Sequence, residues 1–209
     1  GIMLPDSIRH LKGEDLKNAI PDKIYISLKD MRILTKVDML MLEMLANCNW
    51  ERPLYMAISV GEVSKLKFDH YFVQEGLAFR FTPFDYKKWG NVKGDNNYAI
   101  DVERLYENVM NRYKYGGLDT PGLYLDETTL RTCYYHRRLF AQLAKELIRQ
   151  GDNTRARKVL AYAEQAVPAY NVPETYESGS FDIAKAYAAL GEKTKAMPLL
   201  KYLTAESED

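Results

Sequence analysis

The chain contains three histidines, the residue type that most often binds metals or moves protons near neutral pH. His10, His70 and His136 stand far apart, and none lies near another histidine or a cysteine at the spacing of metal ligands. We interpret all three as ordinary surface or partly buried histidines, and we expect neither a metal nor another cofactor.

Dispersed acidic residues are the other candidates for chemistry. Glu75, Asp101 and Asp126 belong to no pattern that would bring two carboxylates together for acid and base catalysis, so we interpret them as helix caps and solvent-exposed groups. The sequence also lacks the glycine-rich phosphate-binding motifs and the zinc- and serine-hydrolase motifs. We therefore expect no enzymatic chemistry and assign no catalytic residue.

Tyrosine is unusually frequent, with sixteen copies, and its flat ring with a polar tip suits stacking on sugars or peptides. Five copies fall close together: Tyr113, Tyr115, Tyr124, Tyr134 and Tyr135. We favour the alternative that these rings fill a seam between subdomains. Five arginines make the following segment basic: Arg137, Arg138, Arg149, Arg155 and Arg157. We interpret these as solvated helix faces, with an anionic partner as the second choice.

Composition limits the class of protein. The 29 basic and 29 acidic residues cancel, whereas nucleic-acid-binding domains normally carry a basic surplus. No uncharged apolar run approaches the roughly 20 residues of a membrane span. The 209 residues suit one large domain or two small ones. Gly1 stands where an initiator methionine is expected, and we interpret it as a cleavage scar on a fragment of a longer protein.

The first half of the chain alternates between strand-like and helix-like segments. Strands are predicted at residues 23–28, 54–60 and 77–84. The apolar 54–60 run is typical of a strand covered on both faces, as in a parallel sheet. Thr35 is expected to cap a helix, and residues 70–74 to form a short helical stretch. This order predicts a small three-layer βαβ sheet unit of the α/β or α+β class.

The helix after Thr35 carries an apolar face of Val37, Leu40, Met41, Met44, Leu45 and Cys48. Cys133 lies on a later helix, so two buried thiols are favoured over a disulfide. Residues 85–99 are polar and rich in Gly and Asn, which predicts a loop. Asp101 is expected to cap the next helix. Composition then changes, and we place two domains at residues 1–116 and 117–209.

The last part of the chain contains a weak internal repeat at tetratricopeptide spacing. The first copy comprises Phe140, Leu143, Ala144, Leu147, Gly151, Ala156, Leu160, Ala163 and Pro168. The second comprises Ile183, Ala184, Tyr187, Gly191, Ala196 and Leu200. The two turn glycines are forty residues apart, against about 34 in that repeat, so the loop at 169–180 is expected to be long. Pro198 is expected to kink the last helix.

Two segments, residues 49–60 (NWERPLYMAISV) and 71–81 (YFVQEGLAFRF), resemble the C-terminal soluble part of a bacterial membrane-protein family, domain of unknown function 2723, common in Bacteroidetes. Residues 105–114 and 122–131 resemble the same family in the same order. The matching positions are Trp50, Arg52, Pro53, Tyr55, Gln74, Glu75, Gly76, Leu77, Arg80, Tyr124, Leu125, Asp126 and Arg131.

Members of that family are similar to protein O-mannosyltransferases. They have a membrane part of the C-type glycosyltransferase fold, which uses a lipid-linked sugar donor, and a soluble tail. The family's catalytic carboxylate lies in the membrane part, so the resemblance carries no catalytic residue to this chain. It implies a periplasmic tail at the inner membrane, which makes a Cys48–Cys133 bridge less remote.

The resemblance also directs attention to possible binding residues. Structural roles suffice to explain these segments: Trp50 buries its ring, and Arg80 pairs with Glu75 or with a backbone carbonyl. The alternative hypothesis is that Trp50, Arg52, Glu75 and Arg80 form one binding surface at the strand ends. Further binding candidates are Tyr124, Tyr134 and Tyr135.

The expected function is that of a non-catalytic accessory domain that binds or positions the acceptor protein of a glycosyltransferase. Helical repeats of this kind build concave binding surfaces. The alternative is a structural or docking module that stabilises the membrane part. The expected partners are therefore the protein's own membrane part and an acceptor protein or peptide, and not nucleic acid.

Overall fold

The computed structural model describes residues 11–21, 23–26, 33–48, 50, 52–60, 69–86 and 98–206. The chain divides into two compact units, Gly1–Leu105 and Tyr106–Asp209. This division lies earlier than the boundary placed at residue 116 from the sequence, and that boundary stays a prediction. Gly1, His10, the end of the predicted 23–28 strand and most of the predicted 85–99 loop lie outside the described residues.

The first unit is built around a mixed sheet. Its elements are α1 (Gly13–Ala19), α2 (Lys36–Ala46), β1 (Tyr55–Ala57), β2 (Phe72–Gln74), β3 (Ala78–Phe81), β4 (Ala99–Ile100) and the start of α3 (Val102–Glu107). The four strands have the order β1-β3-β2-β4. β3 pairs antiparallel with β1 and β2, and β2 pairs parallel with β4. The fold class is therefore α+β, the second of the two predicted alternatives, with helices following the sheet.

Three details of the sequence prediction are wrong in this unit. Phe72–Gln74 is strand β2 and not helical, since only a 3₁₀ turn at Asp69–Tyr71 precedes it. β1 is an edge strand with two exposed residues, not a strand covered on both faces. Residues 23–26 form no strand, although Ile24 and Ile26 pack on the apolar cluster beside the sheet. The apolar composition of each segment correctly indicated that it packs at the sheet. Whether the segment forms a strand, and at which position in the sheet, depends on pairing with other strands.

Adjacent residues of β2 face two different cores, as the alternation of a strand requires. Val73 packs in a cluster with Phe84, Tyr86 and other residues. Phe72 belongs to the cluster on the other side, with Tyr71, Phe79 and Phe81. Tyr86 is 1% exposed, so the predicted loop contributes a core residue at its start.

Helix α2 begins as the sequence predicts. The Thr35 hydroxyl accepts from the backbone N–H of Asp38, and the Asp38 carboxylate accepts from the backbone N–H of Thr35, which together form a capping box. Its buried face is rotated from the predicted one. The side chains that pack on the sheet cluster are Met41, Leu42, Leu45 and Cys48, whereas Val37, Leu40 and Met44 are exposed.

The second unit consists of the π-helical continuation of α3 (Asn108–Arg112) and four helices: α4 (Glu127–Arg149), α5 (Asn153–Ala166), α6 (Ser180–Ala189) and α7 (Lys193–Glu206). α4 packs on α5, α6 packs on α7, and α4 packs on α6. Gly151 and Gly191 occupy the turns with φ of +83° and +78°. The predicted helices and turns of the repeat are confirmed.

The repeat positions form the core of this unit. In the first copy Phe140, Leu143, Leu147 and Leu160 are fully buried. In the second, Tyr187 is buried and its hydroxyl donates to Glu164 of α5. The Nζ of Lys195 lies 2.9 Å from the same carboxylate, so three helices meet at one charged group. Within the described residues no helix combines the length and the apolar character that a bilayer crossing requires.

Candidate functional site

Glu75 and Arg80, two of the predicted site residues, meet in a buried charge cluster of the first unit. The Nε of Arg80 donates to Glu75 Oε1 at 2.6 Å, and Nη1 of Arg104 lies 3.3 Å from the same oxygen. Arg104 Nε also lies 3.3 Å from Asp101 Oδ2. Glu75 and Arg80 are only 6% and 4% exposed, so the interpretation of Glu75 as a helix cap or solvent-exposed group is wrong. Two acids and two bases give a cluster without net charge, which is the arrangement in which buried charges are tolerated.

The local fold explains why these groups converge. Glu75 directly follows β2, and Arg80 lies on β3 of the same hairpin. Asp101 caps α3, where its Oδ1 accepts from the backbone N–H of Arg104 at 3.1 Å, as predicted. Tyr55 on β1 donates its hydroxyl to Glu75 Oε2 at 3.2 Å, and burial followed by the Glu75 charge raises the pKa of Tyr55. The cluster therefore connects β1, the β2–β3 hairpin and α3 through hydrogen bonds and ion pairs to Glu75.

The other two residues of the predicted surface, Trp50 and Arg52, differ in their exposure. Trp50 is half-buried and stacks on Phe81 with 5.1 Å between ring centroids. Its φ of +58° lies in the left-handed region, which is unusual for a large side chain. Arg52 is exposed. A shared binding surface of these four residues stays a prediction, because Glu75 and Arg80 point their charges at each other.

The predicted tyrosines belong to the second unit and differ in exposure. Tyr124 is 89% exposed, whereas Tyr134 and Tyr135 are half-buried on α4. The guanidinium of Arg138 lies 5.7 Å from the centre of the Tyr135 ring. Tyr115 packs within the unit itself, against Phe140 at 5.6 Å between centroids.

Asp126, the third acidic residue considered, is a helix cap. Its Oδ1 accepts from the backbone N–H groups of Thr128 and Thr129 at the start of α4. Hydrogen bonds from Thr129 to the carboxylate lower the pKa of Asp126 below its usual value. His70 lies 3.9 Å from Asp85. No group of acids, histidines and cysteines in the described part of the chain could hold a metal ion.

His136 lies on α4 between the rings of Tyr113 and Tyr115, at 6.1 and 5.2 Å between centroids. Burial lowers its pKa below the ordinary value of 6.5. Its Nδ1 is buried and has no hydrogen-bond partner among the described residues. The imidazole is therefore held neutral in an aromatic setting.

We expect His136 to make the second unit less stable in acid. Below a pH of about 6.5 the unfolded chain takes up a proton that the folded imidazole resists, so the free energy of unfolding falls by up to about 1.4 kcal/mol per pH unit until the lower folded pKa is passed. Urea denaturation at pH 7.5 and 5.5 should show this loss in the wild type and in His70→Gln, but not in His136→Phe. Equal pH dependence in His136→Phe and the wild type would contradict the assignment.

Arg137 is the residue that sequence reasoning missed in the second unit. It was interpreted as solvated, but it is 5% exposed and its guanidinium is enclosed by backbone oxygens. Nη1 donates to Pro173 O at 2.7 Å and to Ser178 Oγ at 2.9 Å. Nη2 donates to Val167 O at 3.1 Å and to Val172 O at 2.5 Å. Burial lowers the pKa of Arg137 from its usual value.

The sequence contains a signal for this burial. Position 137 lies four residues after Cys133, three before Phe140 and seven before Ala144, which places it on the buried stripe of α4. A charged residue on such a stripe must find partners, and here the long loop between α5 and α6 supplies them. Arg137 therefore orders the inter-repeat loop that the forty-residue spacing predicts.

A small cavity of about 200 Å³ lies beside this loop. Its walls include Arg137, Glu164, Tyr170, Glu174 and Leu199. Cofactor and drug sites are typically larger, at about 300–1,000 Å³. The Arg137 guanidinium faces the loop oxygens of Pro173 and Val172 at this cavity.

Gly179 allows this loop to approach α4, and its φ is +88°. A Cβ at this position would lie 2.7 Å from Arg138 Cγ and 3.2 Å from Arg138 Cα. Gly191 has a similar φ of +78°, but a Cβ there would meet nothing within 4 Å. Alanine at either position would strain the backbone, but only alanine at residue 179 would also overlap with α4. Comparing the two substitutions therefore distinguishes the cost of strain from the cost of overlap.

We expect Gly179→Ala to lower the free energy of unfolding by about 2–4 kcal/mol, the sum of left-handed strain and overpacking. In Gly191→Ala the free energy of unfolding should fall by only about 1 kcal/mol, because this substitution strains the backbone without causing steric overlap. Urea denaturation of both variants measures the difference. Equal losses would mean that the contact with α4 does not restrain residue 179.

The two thiols are free. Cys48 is half-buried and Cys133 is buried, and burial raises the pKa of the Cys133 thiol. The preference for two buried thiols over a disulfide stays a prediction, and Cys48 is only half-buried.

Comparison with known proteins finds a family-model match that covers most of the first unit. No curated protein and no solved structure matches the chain. Residues 7–103, slightly less than half of the chain, match the family model of TMEM260-associated domain 2. The match ends just before Leu105, where the first compact unit also ends. The first unit is therefore similar to a domain associated with TMEM260, a membrane protein resembling protein O-mannosyltransferases.

Proposed function

We propose that this chain is a non-catalytic extracytoplasmic accessory region of a membrane-embedded C-type glycosyltransferase, and that it binds or positions the acceptor protein. The observation that carries the proposal is the match of residues 7–103 to TMEM260-associated domain 2. The NWERP and QEGLAFR segments, which resemble domain of unknown function 2723, both lie inside the matched region. Membership of that bacterial family and a periplasmic location belong to the same proposal.

The second unit supports the binding part of this role. Paired antiparallel helices that stack through α4 and α6 are the architecture from which helical repeats build extended binding surfaces. The ordered loop between α5 and α6 adds a fixed edge to that surface. Tyr124, Tyr134 and Tyr135 are the candidate acceptor contacts on it.

Calorimetric titration of acceptor peptides onto the isolated chain tests acceptor binding. We expect saturable binding that weakens in the triple variant with alanine at Tyr124, Tyr134 and Tyr135. Tyr25→Ala is the matched control, because Tyr25 is 80% exposed and belongs to the first unit. An absence of binding across several acceptors, or an equal effect of the control, would count against the proposal.

A docking module is the second candidate function. The exposed apolar side chains of Val37, Leu40 and Met44 on α2 favour it, since such residues are suited to contact with another protein surface. Under this alternative, deleting the chain from the parent lowers the amount of parent protein in the membrane. Transfer activity per folded parent molecule stays unchanged.

A further inference from the structure

Helix α2 exposes a row of apolar side chains to solvent. Val37, Leu40 and Met44 follow one another at spacings of three and four residues, so they lie in one row along the helix. Their side chains are 47%, 62% and 52% exposed. Of the residues in α2 only Asp38 is buried, so the helix lies at the outside of the first unit. We call Val37, Leu40 and Met44 the α2 stripe.

The core of the first unit does not use the α2 stripe. The helix packs on the sheet cluster through Met41, Leu42 and Leu45, which lie on the neighbouring side of the helix. Apolar surface gains free energy when a partner removes it from water, and neighbouring exposed apolar residues mark contacts with other macromolecules. The α2 stripe therefore has the properties of an interaction surface.

Two exposed charges of opposite sign flank the α2 stripe. Lys36 and Glu43 are seven residues apart, so both lie on one side of the helix, away from the sheet cluster. They are separated along the helix by about 10 Å, too far to pair with each other. Glu43 Oε1 accepts from Asn47 Nδ2 at 2.9 Å, and a carboxylate has room for further donors. This flank is therefore positive at one end and negative at the other.

We propose that the α2 stripe binds the α2 stripe of a second copy of this chain, with the two helices antiparallel about a two-fold axis near Leu40. This symmetry brings Lys36 of one copy beside Glu43 of the other, and it forms the same pair again on the opposite side of the axis. Parallel helices would instead bring like residues to the same level, with no opposite charges facing each other. The surface is therefore complementary to itself in the antiparallel arrangement.

The size of the α2 stripe sets the expected strength of this contact. One face of a short helix buries less than the roughly 800 Å² per partner of a standard interface, so we expect micromolar affinity for the isolated chain. The inference goes beyond the proposed function and does not require it. In a membrane-anchored parent, confinement would raise the effective concentration, so a weak contact would be enough to pair two parent molecules.

Sedimentation equilibrium of the full chain tests the dimer, over concentrations from about 1 µM to about 1 mM that bracket a micromolar dissociation constant. We expect the average mass to rise from 24.2 kDa towards twice that value. Leu40→Glu places two like charges near the axis and should weaken association about a hundredfold or more. Met197→Glu is the matched control, because Met197 is 49% exposed on α7, and it should leave association unchanged.

Charge reversal tests the antiparallel arrangement. Lys36→Glu or Glu43→Lys alone would place like charges beside each other at both ends of the contact, and each should weaken association about tenfold. The double variant with both reversals should associate as the wild type does, because opposite charges face each other again. An acid in the first turn and a base near the end suit a helix, so neither reversal should unfold α2.

A thermal melt of each variant shows whether the fold is kept. A monomer mass over the whole concentration range would overturn the inference, as would a dimer that Leu40→Glu leaves intact or a double reversal that fails to restore association. If the chain stays monomeric while Leu40→Glu lowers the amount of parent protein in the membrane, the α2 stripe serves the docking alternative and the dimer is refuted. Acceptor titrations are independent of these results, so the proposed function and the dimer can fail separately.

Discussion

Replacing Arg137 with lysine is expected to lower the free energy of unfolding of the second unit by about 3 kcal/mol or more. The guanidinium donates from two nitrogens to Val167, Val172 and Pro173 carbonyls and to Ser178. A lysine keeps the charge, but its single ammonium cannot reach donors spread over this fork. Buried carbonyl oxygens would then lose their partners.

Urea denaturation of Arg137→Lys beside Arg149→Lys measures this effect. Arg149 pairs with Glu146 at 2.8 Å, but its side chain is 46% exposed, so its replacement should cost less than about 1 kcal/mol. A loss in Arg137→Lys no larger than in Arg149→Lys would show that the loop does not depend on the buried arginine. Increased proteolysis between residues 167 and 180 in Arg137→Lys would agree with a released loop.

The second large effect is expected at Glu75. Glu75→Gln removes the negative charge that faces Arg80 at 2.6 Å and Arg104 at 3.3 Å. Removing one partner of a buried ion pair costs about 3–5 kcal/mol, because it leaves a buried charge without compensation. We expect the first unit to lose stability by this amount.

Glu127→Gln is the matched control for Glu75→Gln. Glu127 forms an ion pair with Arg131 at the same distance of 2.6 Å, but the two side chains are 78% and 72% exposed. Exposed pairs contribute about 1 kcal/mol or less. Similar losses in the two variants, measured by chemical denaturation, would show that the Glu75 cluster is not an anchor of the first unit.

The second unit was more predictable from sequence than the first. Its helices carry apolar residues at regular spacing, and Gly151 and Gly191 mark the turns, so local patterns determine most of the structure. The strands of the first unit are two to four residues long. Short strands have little local pattern, and Phe72–Gln74 became a strand through pairing with β3.

The contacts of the candidate site were also predictable only where the residues lie close together in the sequence. The pairing of Arg80 with Glu75 was one of two alternatives that the QEGLAFR segment offered, the other being a backbone carbonyl, and the structure shows the pair with Glu75. Arg104 and Tyr55 reach the same carboxylate from distant segments, so no local spacing indicates their convergence. Long-range packing sets these contacts.

The alternatives for function differ in a single quantity, the transfer activity per folded parent molecule. Transfer to an acceptor protein should therefore be measured for the full parent and for a parent lacking this region, each normalised to the amount of folded protein in the membrane. The accessory account predicts that activity per molecule falls, through a higher KM for the acceptor, when the region is removed. Unchanged activity per molecule, with only the abundance reduced, would contradict it and leave the docking module as the function.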